Sequence, residues 1–141
     1  MKVDVLTISD YAFESEGKLN ILGTFGHLPV KSIPHMHEGI YVTIQLRFSK
    51  AEEGAHSLSV RLFDGDKREL GAPISHKFNV KFQDDSPAYF VKFIGRFKDL
   101  KFNNYGEHII DLSIDGLEAA ALPLIIKKTG SMTSHAAVPA P

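Results

Sequence analysis

Between Tyr105 and Ile126 the chain spells out a β-hairpin. His108, Ile110, Leu112 and Ile114 fall on one face of an extended segment, and Asp111, Ser113 and Asp115 on the other. Asp115-Gly116 then stands where a two-residue turn is needed. A type I′ turn requires positive φ at both central residues, which Asp tolerates and Gly adopts freely. A last apolar run closes on Pro123-Leu124-Ile125-Ile126. Its parity changes on the way: Leu117, Ala119 and Ala121 are odd, whereas Leu122, Leu124 and Ile126 are even. A bulge near Pro123 is predicted to reconcile them, since proline inside a strand marks an edge or a bulge. A hairpin with one apolar face must bury it against a second layer.

The same period of two recurs along the chain, and no segment sustains a period of 3.6. Val3, Val5 and Thr7 alternate with Asp4, Leu6 and Ile8, which gives the first strand apolar character on both faces. After the turn at Glu14-Ser15-Glu16-Gly17, a strand from Leu19 to Phe25 completes an N-terminal hairpin. Pro29 and Pro34 bound a connector. Ile40, Val42, Ile44, Leu46 and Phe48 then share a face opposite Thr43, Gln45 and Arg47, as a half-buried strand does. His56, Leu58, Val60 and Leu62 form the next inward row, followed by His76, Phe78, Val80 and Phe82. Tyr89, Val91, Phe93 and Phe97 come after, with Phe90 and Ile94 on the other face. About eight short strands at regular turn spacing predict an all-β fold, a single antiparallel sandwich of immunoglobulin-like, Greek-key type. The domain is expected to span residues 1–128. The Ala-, Ser- and Pro-rich residues 129–141 have no core pattern and are expected to be a disordered tail.

Composition narrows the function classes. At 141 residues the chain is long enough to bury one core. A net charge of −1 gives no strong field toward nucleic acid or anionic lipid. The absence of cysteine excludes a disulfide, a thiolate metal site and a Cys nucleophile, and fits the cytoplasm. Residues 1–10 mix Lys2 and Asp4 into their apolar positions, so neither a signal peptide nor a membrane span is expected.

Three segments together have a familiar look. Residues 10–23 centre on Gly17-Lys18-Leu19-Asn20-Ile21-Leu22-Gly23. Arg47-Phe48 leads through Glu53-Gly54-Ala55-His56 to Phe63-Asp64. Tyr105-Gly106-Glu107 leads through Asp115-Gly116 to Pro123-Leu124. In this order they resemble a family of small uncharacterised bacterial proteins, a domain of unknown function, over residues 2–127. The resemblance rests on turn glycines and strand apolars. It implies a bacterial, single-domain β-sandwich and carries over no catalytic residue.

The histidines are the candidates for chemistry. If strands alternate in direction, His35, His37, His76 and His108 precede strands running one way, and Asp64 and Asp66 follow one running the other. All six then reach the same end of the sandwich, and imidazole with carboxylate suits zinc or a similar metal. Strand starts are also polar rims where half-buried histidines are ordinary, so no metal or other cofactor is expected. Asp64-Gly65-Asp66 and Asp84-Asp85 read as turns: alternation puts them at opposite ends, whereas calcium needs about six or more oxygens around one point. No G-x-S-x-G elbow and no Gly-rich loop entering a helix is present. Lys77, Lys81, Lys92 and Arg96 read as a solvated face rather than a nucleic-acid stripe.

Four apolar residues remain outside the core alternation: Phe63, Phe90, Ile94 and Ile109. They are expected to mark an interface. The expectation is a non-enzymatic binding or assembly module that acts on a protein partner or by self-association, with neither nucleic acid nor membrane. The alternatives are a metal-dependent enzyme using the His and Asp end cluster, and a small-ligand binder.

Overall fold

The computed structural model describes residues 1–130, which form two β-sheets packed face to face. The strands are β1 (Lys2–Ser15), β2 (Lys18–Thr24), β3 (His27–Val30), β4 (His35–Phe48), β5 (Gly54–Phe63), β6 (Glu69–Val80), β7 (Tyr89–Phe102), β8 (Gly106–Ile114) and β9 (Leu117–Lys128). One sheet runs β2-β1-β4-β7, and the other β3-β9-β8-β5-β6. The fold is the expected immunoglobulin-like sandwich. The inward rows of β4, β5 and β8 meet in its middle, where Ile40, Val42, Ile44 and Leu46 pack with Leu58, Val60, Leu62, Ile110 and Leu112, all within 1% of full burial. Each such side chain contributes roughly 1.5–3 kcal/mol by leaving water. Of the expected tail, Thr129 still donates its N–H to the carbonyl of Val30 at 2.7 Å, and residues 131–141 lie outside the described residues.

Three features differ from the expectation. The stretch expected to be a connector holds a strand, β3, which pairs parallel to β9 from His27↔Ile125 to Val30↔Lys128. It is too short to show a period. Pro29 is tolerated because the carbonyls of Gly26 and Val30 point at β9, which leaves the missing N–H of Pro29 on the solvent side. The bulge in β9 falls not near Pro123 but at Ala119, where Leu112↔Ala120 gives way to Ser113↔Glu118. Proline at 123 reflects an edge: Ile125 and Thr129 donate toward β3, and residue 123 has the same parity but lies below the end of β3. Finally, β6 begins at Glu69 and is irregular opposite the step from Val60 to Leu62, so His76 sits in mid-strand rather than at a strand start.

β1 belongs to two structures. Residues 2–9 pair with β4, and residues 9–15 pair with β2. At Ser9, which is fully buried, the hairpin leaves the plane of the sheet. The register requires this. Lys92 lies opposite Gln45, which lies opposite Val5. Twelve further residues of straight strand would carry Gly17 about 40 Å away, yet the Lys92 ammonium donates to the Gly17 carbonyl. The arm formed by residues 9–24 therefore crosses the outer face of its own sheet, from β1 past β4 to β7. The two-sided apolar character of residues 3–8 has another cause: the register shift between Val3 and Val5 turns Val3, Leu6 and Ile8 alike toward the core. The arm buries Thr43 completely on the outward row of β4, and it sets the ring of Tyr11 edge-on to Tyr41 at 5.2 Å.

The two flanks of the sandwich are unlike. On one, β6 and β7 meet across the gap between the sheets. Gly95 leaves room for Ile74, whose Cγ2 would lie 3.0 Å from a Cβ there, and the ring of His76 stacks on Phe93 at 5.1 Å. On the other flank, β2 leaves residues 2–8 of β1 paired on one side only, with β4, and β3 leaves residues 117–124 of β9 paired on one side only, with β8. These two free edges border an open groove of about 790 Å³.

Candidate functional site

The end cluster assembles only in part. His35 and His37 project from one face of β4 with rings 5.7 Å apart. The ring of Phe102 then intervenes, 6.4 Å from His37 and 5.4 Å from His108. His108 is fully buried, with Nδ1 on the Gly106 carbonyl at 3.1 Å. Asp64 organises its turn: Oδ1 accepts from the N–H groups of Asp66 and Arg68, and Oδ2 from the Asn104 amide. The bond from Arg68 leads the causes that hold its carboxyl below the usual range. Asp66 joins this turn through its backbone only. His76 lies elsewhere, among Phe78 and Phe93. Burial, with His35 next to it, lowers the pKa of His37. Among the described residues no three His, Asp or Glu side chains converge on a point where a metal ion could sit.

A polar site that the sequence reading missed lies beside the open flank. His56 Nδ1 is 2.7 Å from Asp115 Oδ2, and its Nε2 is 2.7 Å from the Glu52 carbonyl. Both partners only accept, so both bonds form when the ring is cationic. The bond to Asp115 is the main cause of a raised His56 pKa, and the same bond lowers that of Asp115. Phe48 and Phe78 flank the ring at 4.8 and 5.9 Å. Asp115 also accepts from the Ser57 N–H while its own φ of 52° starts the predicted turn. The pair is 59 residues apart in sequence, so only the strand order brings it together.

The four outward apolar residues divide between the two outer faces. Phe63 and Ile109 are cross-strand neighbours on one, both half-buried, and the Arg61 guanidinium lies 4.9 Å over the Phe63 ring. Phe90 and Ile94 are on the other. Ile94 is half-buried opposite Thr43, in the strip the arm crosses, whereas Phe90 is 50% exposed. The arm adds apolar residues of its own. Ala12 is buried beneath it, while Tyr11, Phe13 and Leu22 are 47%, 38% and 55% exposed. Tyr11 and Leu22 are directly paired, and the rings of Tyr11 and Phe13 are 5.8 Å apart. Of the basic residues considered as a stripe, Lys92 is bound to the arm and Arg96 packs over Tyr41.

A family model, described as a family of unknown function, matches residues 4–127. The chain belongs to this family, DUF6941. No curated protein matches the sequence. Among solved structures, the DUF6941 chain is similar to the alkylpurine DNA glycosylase AlkC of Pseudomonas fluorescens bound to DNA containing an abasic site analogue. The TM-score is 0.52 at 8% identity, over 89% of this chain and 30% of that one. The DUF6941 chain thus spans under a third of the glycosylase, and the likeness is one of fold. An immunoglobulin-like protein from Pseudomonas aeruginosa is also similar, with a TM-score of 0.34 and 13% identity, over 89% of this chain and 95% of that one. No helix of the described residues is long and apolar enough to cross a membrane.

Proposed function

We propose that this DUF6941 protein is a non-enzymatic binding module of the bacterial cytoplasm, and that it captures a protein partner on the side covered by the arm. One observation carries the reading. Among the described residues, four of the eight exposed large apolar ones, Tyr11, Phe13, Leu22 and Phe90, lie on that side, and none lies on the outer rows of β5 and β8. Isolated exposed apolars are ordinary, but aromatic residues gathered on one face mark contact surfaces. Ile94 drops out of the interface in this reading because the arm covers it in part. A nucleic-acid partner is not favoured, since the net charge is −1 and Lys92 and Arg96 are engaged within the fold.

The test uses the whole chain as bait in a host extract, followed by calorimetric titration of the purified pair. Combining Tyr11→Ser, Phe13→Ser and Phe90→Ser should weaken binding at least tenfold with the melting temperature nearly unchanged. Unchanged affinity, or a wild type that binds no protein, overturns the proposal.

A further inference from the structure

The groove between the free edges of β1 and β9 is a separate surface, and we infer that it joins two copies of this chain around a two-fold axis. Its floor is apolar and low, built from Val3 and Leu6 on one wall and Ala119, Ala121 and Leu122 on the other. On its rim stands Leu117, which is 75% exposed, the most of any large apolar residue described. A knob beside a hollow on one surface is self-complementary: a two-fold operation seats each Leu117 in the partner's groove.

Charge is arranged the same way. Lys2 lies on the β1 wall and Glu118 on the β9 wall, and neither is held in an ion pair among the described residues. Opposite charges on opposing walls match a second copy turned to face the first, where Lys2 of each meets Glu118 of the other. They do not favour a uniformly basic or acidic partner. Strand addition is disfavoured as the mode of contact. β1 has an irregular register between Val3 and Val5, β9 bulges at Ala119, and Pro123 offers no N–H. The contact is therefore made by side chains.

Light scattering on the full chain over a wide concentration range tests this. A monomer–dimer equilibrium is expected, and Leu117→Lys should weaken it at least tenfold without changing the monomer's melt. Should Leu117→Lys disturb folding, Ala121→Arg, also exposed on the groove, serves instead. Lys2→Glu and Glu118→Lys should each weaken the dimer, and the two together should restore it, because the charges are exchanged rather than removed. The arm substitutions should leave the equilibrium unchanged, so this surface and the arm stand or fall separately. A wild type that stays monomeric throughout, a dimer indifferent to Leu117→Lys, or a charge swap without rescue overturns the inference.

Discussion

The flank where β6 meets β7 and the flank where β1 faces β9 solve the same problem in opposite ways. Any sandwich exposes its core along the two sides where its sheets end. On the first side the chain closes the gap with small residues that let the backbones approach, Gly95 beneath Ile74 and Gly71 against Leu100. On the second, β2 and β3 each pair with only part of their neighbour, and three successive alanines leave a groove. A closed side tolerates no added volume, whereas an open side has space to receive something.

The largest expected effect breaks the closed side. Gly95→Leu places a side chain where Ile74 already stands, and should destabilise by about 1–3 kcal/mol. Ala121→Leu on the open side should change stability by less than about 0.5 kcal/mol. Urea unfolding of the two variants measures the contrast directly, and equal losses would abolish the distinction between the flanks.

Next comes the latch at the end of the open side. Replacing the ring with His56→Leu should destabilise by about 1–3 kcal/mol below about pH 6.5, where both of its bonds are charge-assisted. The sign of the pH dependence follows from the shifts. His56 has a raised pKa, so its contribution is full below the ordinary histidine value of about 6.5 and fades as pH climbs through the raised one. Asp115 has a lowered pKa, so its part is lost only as pH falls through the carboxylate range. Subtracting the His56→Leu profile from the wild type should thus leave a difference that shrinks toward alkaline pH. A difference that grows there would mean that the ring is neutral in the fold.

Gly116→Val sharpens the same region. Gly116 has φ of 82°, and a Cβ there would meet nothing within 4 Å, so the expected loss of about 1 kcal/mol is conformational strain alone. Lys92→Met, the mildest change, should cost under about 1 kcal/mol overall. It should nevertheless speed amide exchange in β2, since it removes the bond that holds the arm's tip.

Legibility in the sequence follows burial. β4, β5 and β8 announced themselves because each has one face against the opposite sheet, and that constraint imprints alternation on Ile40 to Phe48 or His108 to Ile114. The Asp115-Gly116 turn was readable because backbone conformation there is set locally. What stayed hidden depends on long-range placement. The bend at Ser9 has no local signature, and the apolar residues of both parities in β1 reflect the register shift between Val3 and Val5 instead. Four residues of β3 cannot show a period. Phe102 between His37 and His108 is invisible to reasoning from strand direction, which ranks residues by height and not by neighbour. In the sequence His56 is an inward residue of one strand and Asp115 a turn residue of another, and only the strand order makes them a pair.

Beneath the arm, the hydroxyl of Thr43 is sealed from solvent with no hydrogen-bond partner among the described residues. Lifting the arm would return that hydroxyl to water and recover roughly 1–3 kcal/mol of desolvation. That offsets part of the apolar burial that Ala12 and Ile94 would give up, while the central core rows stay packed. The molecule therefore has an inexpensive first step of opening, hinged at Ser9 and confined to residues 9–24. Partial unfolding of this kind would expose the outer face of β4 and β7 at a population set by the arm alone, well above that of the globally unfolded chain.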